Sequence, residues 1–458
     1  MNVVMSKEKE GISSLESAKL PSLLMKYCIP SLASSLVTSV YNIVDQLFIG
    51  QKLGINGNAA TNVIFPVITL ITALSLMCGV GSSANMNLAL GKNNPERAKK
   101  VVGNGFALMT GCGVILSAVV LLFSVPVLNL LGCTETIMPY ALPYARIVAV
   151  GFVFSLIGAA GPFLIRADGS PMYALVSIAT GAGLNIVLDA LFVMGFDWGI
   201  PGAAWATVIS QAVSAVMVLW YLRGYRTVKL ERTDFLPDWK LMGNISLLGA
   251  GPAFNFMTQA MSLVFLNNAL RIYGAASVYG SEITLAVAGV ANKVNTLAVA
   301  VVTGLTNGMQ PIVSFNFGRK NYKRVVETAK TVIGMVLAAG FVIFLCYQFL
   351  PVQIVSLFGD GNALYFEFAK KYFRIYLMLI CLNGLQSSVA GFFSAQGKPG
   401  KSILISLTRQ VIFLTPLLVI LPLRFGLNAV LAAGPLADLA MACVAVWLFV
   451  TETKKLNR

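Results

Sequence analysis

Runs of mostly apolar residues, each about twenty or more long and separated by short polar segments, occupy almost the whole chain. About 20 such residues, rising 1.5 Å each in a helix, cross the roughly 30 Å hydrocarbon layer of a bilayer. The pattern places spans at 22–50, 59–90, 101–125, 140–164, 172–195, 202–223, 244–270, 283–317, 327–349, 372–394, 402–422 and 429–450. It predicts an all-α polytopic membrane protein with twelve transmembrane helices.

The polar segments alternate in charge. Lys92, Arg97, Lys99 and Lys100 follow the second span, Arg223, Arg226, Lys229 and Arg232 the sixth, and Arg319, Lys320, Lys323 and Arg324 the eighth, whereas 126–139 and 196–201 contain no Lys or Arg. Positive charge in short loops favours the cytoplasmic side, so both termini are expected there, in the plasma (cell inner) membrane. Residues 1–21, which lack an apolar core of signal-peptide length, are expected to form an uncleaved cytoplasmic tail, and residues 451–458 a second one.

Internal repeats divide the remainder. YARI at Tyr144–Ile147 recurs as YFRI at Tyr372–Ile375, and ADGSP at Ala167–Pro171 as AQGKP at Ala395–Pro399, both shifted by 228 residues. Gly91, Asn94 and Arg97 recur as Gly318, Asn321 and Arg324, shifted by 227. Ordered matches at nearly one offset predict two pseudo-symmetric six-helix lobes, an N-lobe over 22–223 and a C-lobe over 244–450, joined by a cytoplasmic linker at 224–243. Six spans per lobe give both the same orientation, hence a pseudo-two-fold axis along the membrane normal and a central cleft between them.

Composition narrows the function. The chain is 57% hydrophobic and only 11% charged, with a mean hydropathy of +0.79, where about 25% charged is usual for a soluble domain. The net charge of +15 sits in the loops and not in a nucleic-acid-binding patch. The seven cysteines are odd in number and six lie in apolar segments, so no disulfide framework is implied. Histidine is absent, which excludes His-dependent nucleophilic catalysis and leaves proton or cation work to carboxylates. No enzyme activity and no organic cofactor are expected.

In LNIVLDALFV (Leu184–Val193), Asn185 and Asp189 lie four residues apart on one helix face. A carboxylate within the hydrocarbon layer costs on the order of 2.5–3.5 kcal/mol on insertion scales and marks a pathway or relay by default. Asp45 lies five residues before the end of the first span, and Thr207 five after the start of the sixth. At 1.5 Å per residue all three sit roughly 7–9 Å below the outer surface. Such a group suits a hard cation or a shared proton; a structural contact between helices is the competing role.

The repeat does not duplicate this cluster, since aligning Pro30 with Pro252 puts Asn267 opposite Asp45, and the shift of 227 or 228 puts Pro416 or Leu417 opposite Asp189. Asp438 on the last span is a candidate for contacting a cationic substrate or a water chain, weighed equally with a structural hydrogen bond. Thr38, Tyr41 and Asn42 are candidates for the cavity wall, with helix packing as their alternative. For Lys293, Arg146 and Arg374, snorkelling or inter-helix hydrogen bonding is the preferred reading.

The stretch GLTNGMQPIVSFNFGRK (Gly304–Lys320) resembles the signature of the multidrug and toxic compound extrusion (MATE) transporters. YNIVDQLFIG (Tyr41–Gly50), IRADGSPMYA (Ile165–Ala174), LNIVLDALFV and GIPGAAWATVISQ (Gly199–Gln211) are similar to that family in order and spacing. The resemblance, to prokaryotic members, implies a V-shaped pair of lobes acting as a secondary active antiporter. By alternating access it would export amphipathic, often cationic, small molecules in exchange for H+ or Na+. It selects Asp45, Asn185, Asp189 and Thr207 as the cation site and Pro30 as the bend in the first helix. The expected partners are substrate and lipid bilayer, with no nucleic acid, and the protein is expected to act as a monomer. The alternative is a lipid-linked oligosaccharide flippase of a related exporter fold, whose basic central cavity contrasts with the loop-borne charge here. From a different class, a channel or receptor remains open. A sugar-type facilitator is disfavoured because GKNNPERAKK lacks its acidic–basic loop signature.

Overall fold

The computed structural model describes residues 15–358 and 361–457. The N-terminal tail before Leu15, and Arg458, lie outside that range. Among the described residues there is no strand. The helices are α1 (Leu20–Gln46), α2 (Ala59–Gly91), α3 (Pro95–Leu122), α4 (Met138–Val150 and Phe152–Ala167), α5 (Pro171–Gly195) and α6 (Gly199–Gly224) in the first half. In the second they are α7 (Trp239–Ala275), α8 (Gly280–Gly318), α9 (Tyr322–Phe349), α10 (Ala363–Ile375 and Ile380–Ala395), α11 (Pro399–Ile420) and α12 (Pro422–Leu456).

Nine of these are long and apolar enough to cross a membrane, and counting α4 and α10 as single spans gives eleven. The twelfth predicted span falls on α7, which is 37 residues long but carries Lys240, Asn244, Asn255, Gln259, Asn267, Asn268 and Arg271. Its length suffices; its composition alone does not mark it as a span. The bends in α4 and α10, 54° and 47°, are a matched pair that periodicity did not reveal.

Helical hydrogen bonding runs from Leu20 to Gly91. A straight helix of that length would be roughly 108 Å long. Yet a Cβ on Gly308 would touch Cys28, and one on Gly318 would touch Leu88, so the run folds back between α1 and α2 to lay both against α8.

The repeated motifs have a physical basis in this packing. Asn94 and Asn321 each cap the following helix, accepting from the backbone N–H of Arg97 (2.9 Å) and Arg324 (3.3 Å). Gly169 and Gly397 hold equivalent turns at φ +88° and +75°, where a side chain would be strained. Gly91 and Gly318 meet each other: a Cβ on Gly318 would lie 3.0 Å from Cα of Gly91.

The lobes join at the end of the bundle that carries the basic loops. A Cβ on Gly81 would lie 1.9 Å from the Ile245 carbonyl oxygen, and one on Gly249 1.9 Å from that of Met77. The Asn85 amide donates to the Asn244 carbonyl (3.4 Å). Residues just before α1 reach across to the C-lobe: Asn316 donates to the Leu15 carbonyl (3.2 Å), Arg324 to that of Ala18 (2.6 Å), and Arg319 pairs with Glu16 (3.1 Å). One buried apolar cluster runs through this end from Val101 and Leu164 to Met309 and Phe392. A second, with Leu270, Phe368 and Val430, fills the C-lobe separately.

The linker is pinned to the N-lobe. Buried Asp168 accepts from Tyr221 Oη and the Arg226 N–H (both 2.7 Å), and from the N–H and hydroxyl of Thr227 (2.7 and 2.6 Å). Burial pushes its carboxyl up to about 6 against these four donors, so it is ionised at neutral pH. Farther along, Asn104 donates to the carbonyls of Asp234 and Leu236 and accepts from the Asp238 N–H (2.7 Å).

Because backbone fills the space beside Gly81, Gly81→Leu forces the lobes apart where they meet. Spin labels at positions 92 and 320 should then separate by several ångströms, while Gly289→Leu, whose Cβ would meet nothing within 4 Å, leaves the distance unchanged. An unaltered distance in Gly81→Leu would disprove the clamp.

Candidate functional site

The N-lobe site begins with a change in helical winding. α5 is α-helical through Asp189 and then π-helical over Ala190–Gly195. Such single π turns recur at functional sites because they re-aim side chains. Asn185 and Asp189 lie on the buried face, 2% and 1% exposed, and α5 packs against both α1 and α6.

Asp45 on α1 is half-buried and faces Asp189, close enough for the two carboxyls to share a hydrogen bond once one holds a proton. Among the described residues the donor to Asp45 is the Gln46 amide at 3.4 Å. Asp45 Oδ1, both Asp189 oxygens and both amide atoms of Asn185 are buried without a protein partner. Tyr41 and Tyr144 lie within electrostatic reach of both carboxyls; Tyr144, on α4, was not among the sequence candidates.

Two ionised carboxylates with one long hydrogen bond, that to Asp45, in a low-dielectric setting are each several kcal/mol out of place. A proton or a small cation relieves this by neutralising charge and supplying the missing partner. Oxygen and amide donors of this kind suit a hard, weakly held ion such as Na+.

Other candidates are placed differently. The Thr207 hydroxyl on α6 donates to the Ala203 carbonyl of its own helix (3.0 Å), and no bond joins it to the carboxylates. Pro30 is buried in α1. Ser34 Oγ donates to the Pro30 carbonyl (2.7 Å) and the Thr38 hydroxyl to that of Ser34 (2.9 Å). This ladder runs along one face beside the residue that removes a backbone donor, an arrangement that bends helices. Tyr41 is half-buried and Asn42 exposed.

Asp438 is 1% exposed and accepts from Arg409 Nε at 2.5 Å. Arg409 lies in a second π turn, Thr408–Leu414 of α11, which by the 228-residue shift falls before, and not on, the one in α5. Arg409 was passed over in the sequence, although an arginine inside a predicted span was a visible signal. By the 228-residue shift its N-lobe counterpart is Gly181, where a Cβ would already lie 2.0 Å from Ser214 Oγ, so no long side chain fits there. Arg146 and Arg374 make matching contacts, to Ser124 Oγ and the Gln348 carbonyl (both 3.3 Å), in keeping with their structural reading. An open groove of about 820 Å³ beside Leu382, Trp447 and Lys454 lies between α10 and α12, away from the acidic pair, and is not taken as the site.

A two-lobe helical membrane protein with an unpaired carboxylate cluster in one lobe is the architecture of a transporter. The chain belongs to the MatE family, whose model matches residues 30–191 and 257–420, and it is therefore a MATE transporter and not an enzyme. It is similar to "Multidrug export protein MepA" of Staphylococcus aureus (strain MRSA252), with 24% identity over 441 residues and 95% of each chain covered. In fold it matches "Crystal structure of MATE in the straight conformation" with a TM-score of 0.90, 21% identity and coverage of 98% of this chain and 99% of that one. It matches "Crystal structure of MATE in the bent conformation" with a TM-score of 0.88, 21% identity and 98% of each.

Removing one partner of the C-lobe pair leaves a buried unpaired charge. Asp438→Asn should therefore cost about 3–5 kcal/mol, seen as a lower melting temperature in detergent, while Arg409→Met combined with Asp438→Leu recovers most of it. Wild-type melting of Asp438→Asn would show that the pair is not structural.

Proposed function

We propose that the protein is a secondary active multidrug exporter, driven by H+ or Na+ binding at Asp45 and Asp189 with Asn185 beside them. The observation that carries this reading is the set of buried, partnerless oxygens on the two carboxyl groups. Export of amphipathic compounds, cationic ones among them, is supported by family membership and by similarity to multidrug export proteins.

In this reading the empty pair is doubly charged and self-repelling. Its neutralisation lets α1 settle differently against α5. The Pro30–Ser34–Thr38 ladder supplies the flexible point, because a proline-interrupted helix has two shapes of similar energy. A change of shape in α1 reaches the lobe interface directly, since Ser31 and Leu32 lie against Gly304 of α8. Cation entry from outside would then favour substrate release, and alternation would require the glycine contacts at the basic end to separate. The basic loops support a plasma-membrane orientation with both termini in the cytoplasm. In this reading the exporter works as a monomer.

Asp189→Asn and Asp45→Asn remove the exchangeable charge while keeping shape. In proteoliposomes, dye efflux driven by separately imposed proton or sodium gradients should fall at least tenfold in each variant, with one gradient alone effective in wild type. Efflux that keeps its full gradient dependence in Asp189→Asn would reject the coupling role.

A further inference from the structure

Lys293 is a charged residue, within a span, that the transport reading leaves unused. It lies within α8, is exposed, and has no hydrogen-bond or ion-pair partner among the described residues. Arg146 and Arg374, which shared its structural reading in the sequence, both have hydrogen-bond partners.

Its direction follows from helix phase. Gly304 of α8 lies against Ser31 and Leu32 of α1, which fixes the face of α8 turned to the N-lobe. Lys293 precedes Gly304 by eleven residues, within about 20° of three full turns, and so lies on that face roughly 16 Å farther from the basic end. There the glycine contacts have ended and the cleft lies between the lobes. Leu297, 36% exposed, shares the stripe one turn nearer to Gly304.

Because α1 and α8 run in opposite directions, the same rise along α1 from Leu32 reaches Ile43, level with Asn42 and Asp45. Asp45 follows Leu32 by thirteen residues, about 220° around α1, and so points back into the N-lobe and not across to Lys293. A lone ammonium within a membrane span is costly and marks a binding function by default, and here no acid among the described residues answers it.

We infer that Lys293 is a substrate-binding residue of the central cleft that receives a negatively charged group, so that the compounds carried include amphipaths bearing a carboxylate, sulfonate or phosphate, zwitterions among them. This rests on the exporter reading, but it concerns the cleft wall of the C-lobe and not the coupling pair of the N-lobe. Leu297 offers apolar contact beside the charge, which suits a molecule with an aromatic or aliphatic body.

Equilibrium binding of a rhodamine with a free carboxylate and of its methyl ester, read by fluorescence anisotropy on the purified full-length protein, tests the assignment. No ion gradient is used, so a failure of coupling leaves the result readable. Wild type should bind the free acid more tightly than the ester. Lys293→Gln should reduce that ratio on the order of tenfold, the worth of one charge-assisted contact, and Lys293→Arg should retain most of it. The inference is overturned by equal binding of the two probes to wild type, by a preference that survives Lys293→Gln, or by equal loss of both probes, which would mark a structural role.

Discussion

Two carboxyl groups facing each other inside an apolar bundle, with no donor assigned to either Asp189 oxygen, set the terms for the rest of the molecule. In water such a pair is unremarked; between helices it is tolerable only when a positive charge arrives. The neighbouring C-lobe shows the alternative solution, where Asp438 is answered permanently by Arg409. The two lobes share a fold, but the C-lobe acid has its partner built in, while the Asp189 oxygens have none among the described residues. In the proposed function it is the N-lobe acid pair that responds to an arriving ion.

That local event has a path to the lobe interface. α1 carries Asp45 and Pro30 and, a turn or less from the proline, the residues that lie against Gly304 and Gly308 of α8. Interfaces built on glycine and backbone contact are sensitive to sub-ångström shifts, because there is no flexible side chain to absorb them. The linker is held to the N-lobe by Asp168 and Asn104, so in the proposed alternating cycle relative movement of the lobes would be taken up beyond Asp238 and at the glycine faces themselves.

Much of this was legible in the sequence. Hydrophobic length located the eleven helices or bent pairs that are apolar enough to span, with α7 matching in length alone, and the shifts of 227 and 228 residues announced two lobes because the repeated residues are caps, turn glycines and an axial contact that any copy of the fold needs. The pair at Asn185 and Asp189 stood out because carboxylates are rare in apolar runs. What stayed hidden depends on three-dimensional partners. Periodicity does not distinguish an α turn from a π turn, and the bends in α4 and α10 follow from packing. The Thr207 hydroxyl donates to a carbonyl of its own helix, which leaves its oxygen lone pairs to accept from elsewhere. Asp438 was visible as an acid but not as half of a pair, because its partner lies 29 residues away.

The central claim is that the N-lobe pair holds one exchangeable positive charge. The most direct measurement counts protons and sodium ions bound by the purified protein at neutral pH, using a pH indicator and radiolabelled sodium on the same sample, for wild type and Asp189→Asn. The expected result is that wild type binds about one positive charge more than the variant, as proton, sodium or a mixture set by their concentrations. Equal binding by the two proteins would contradict it.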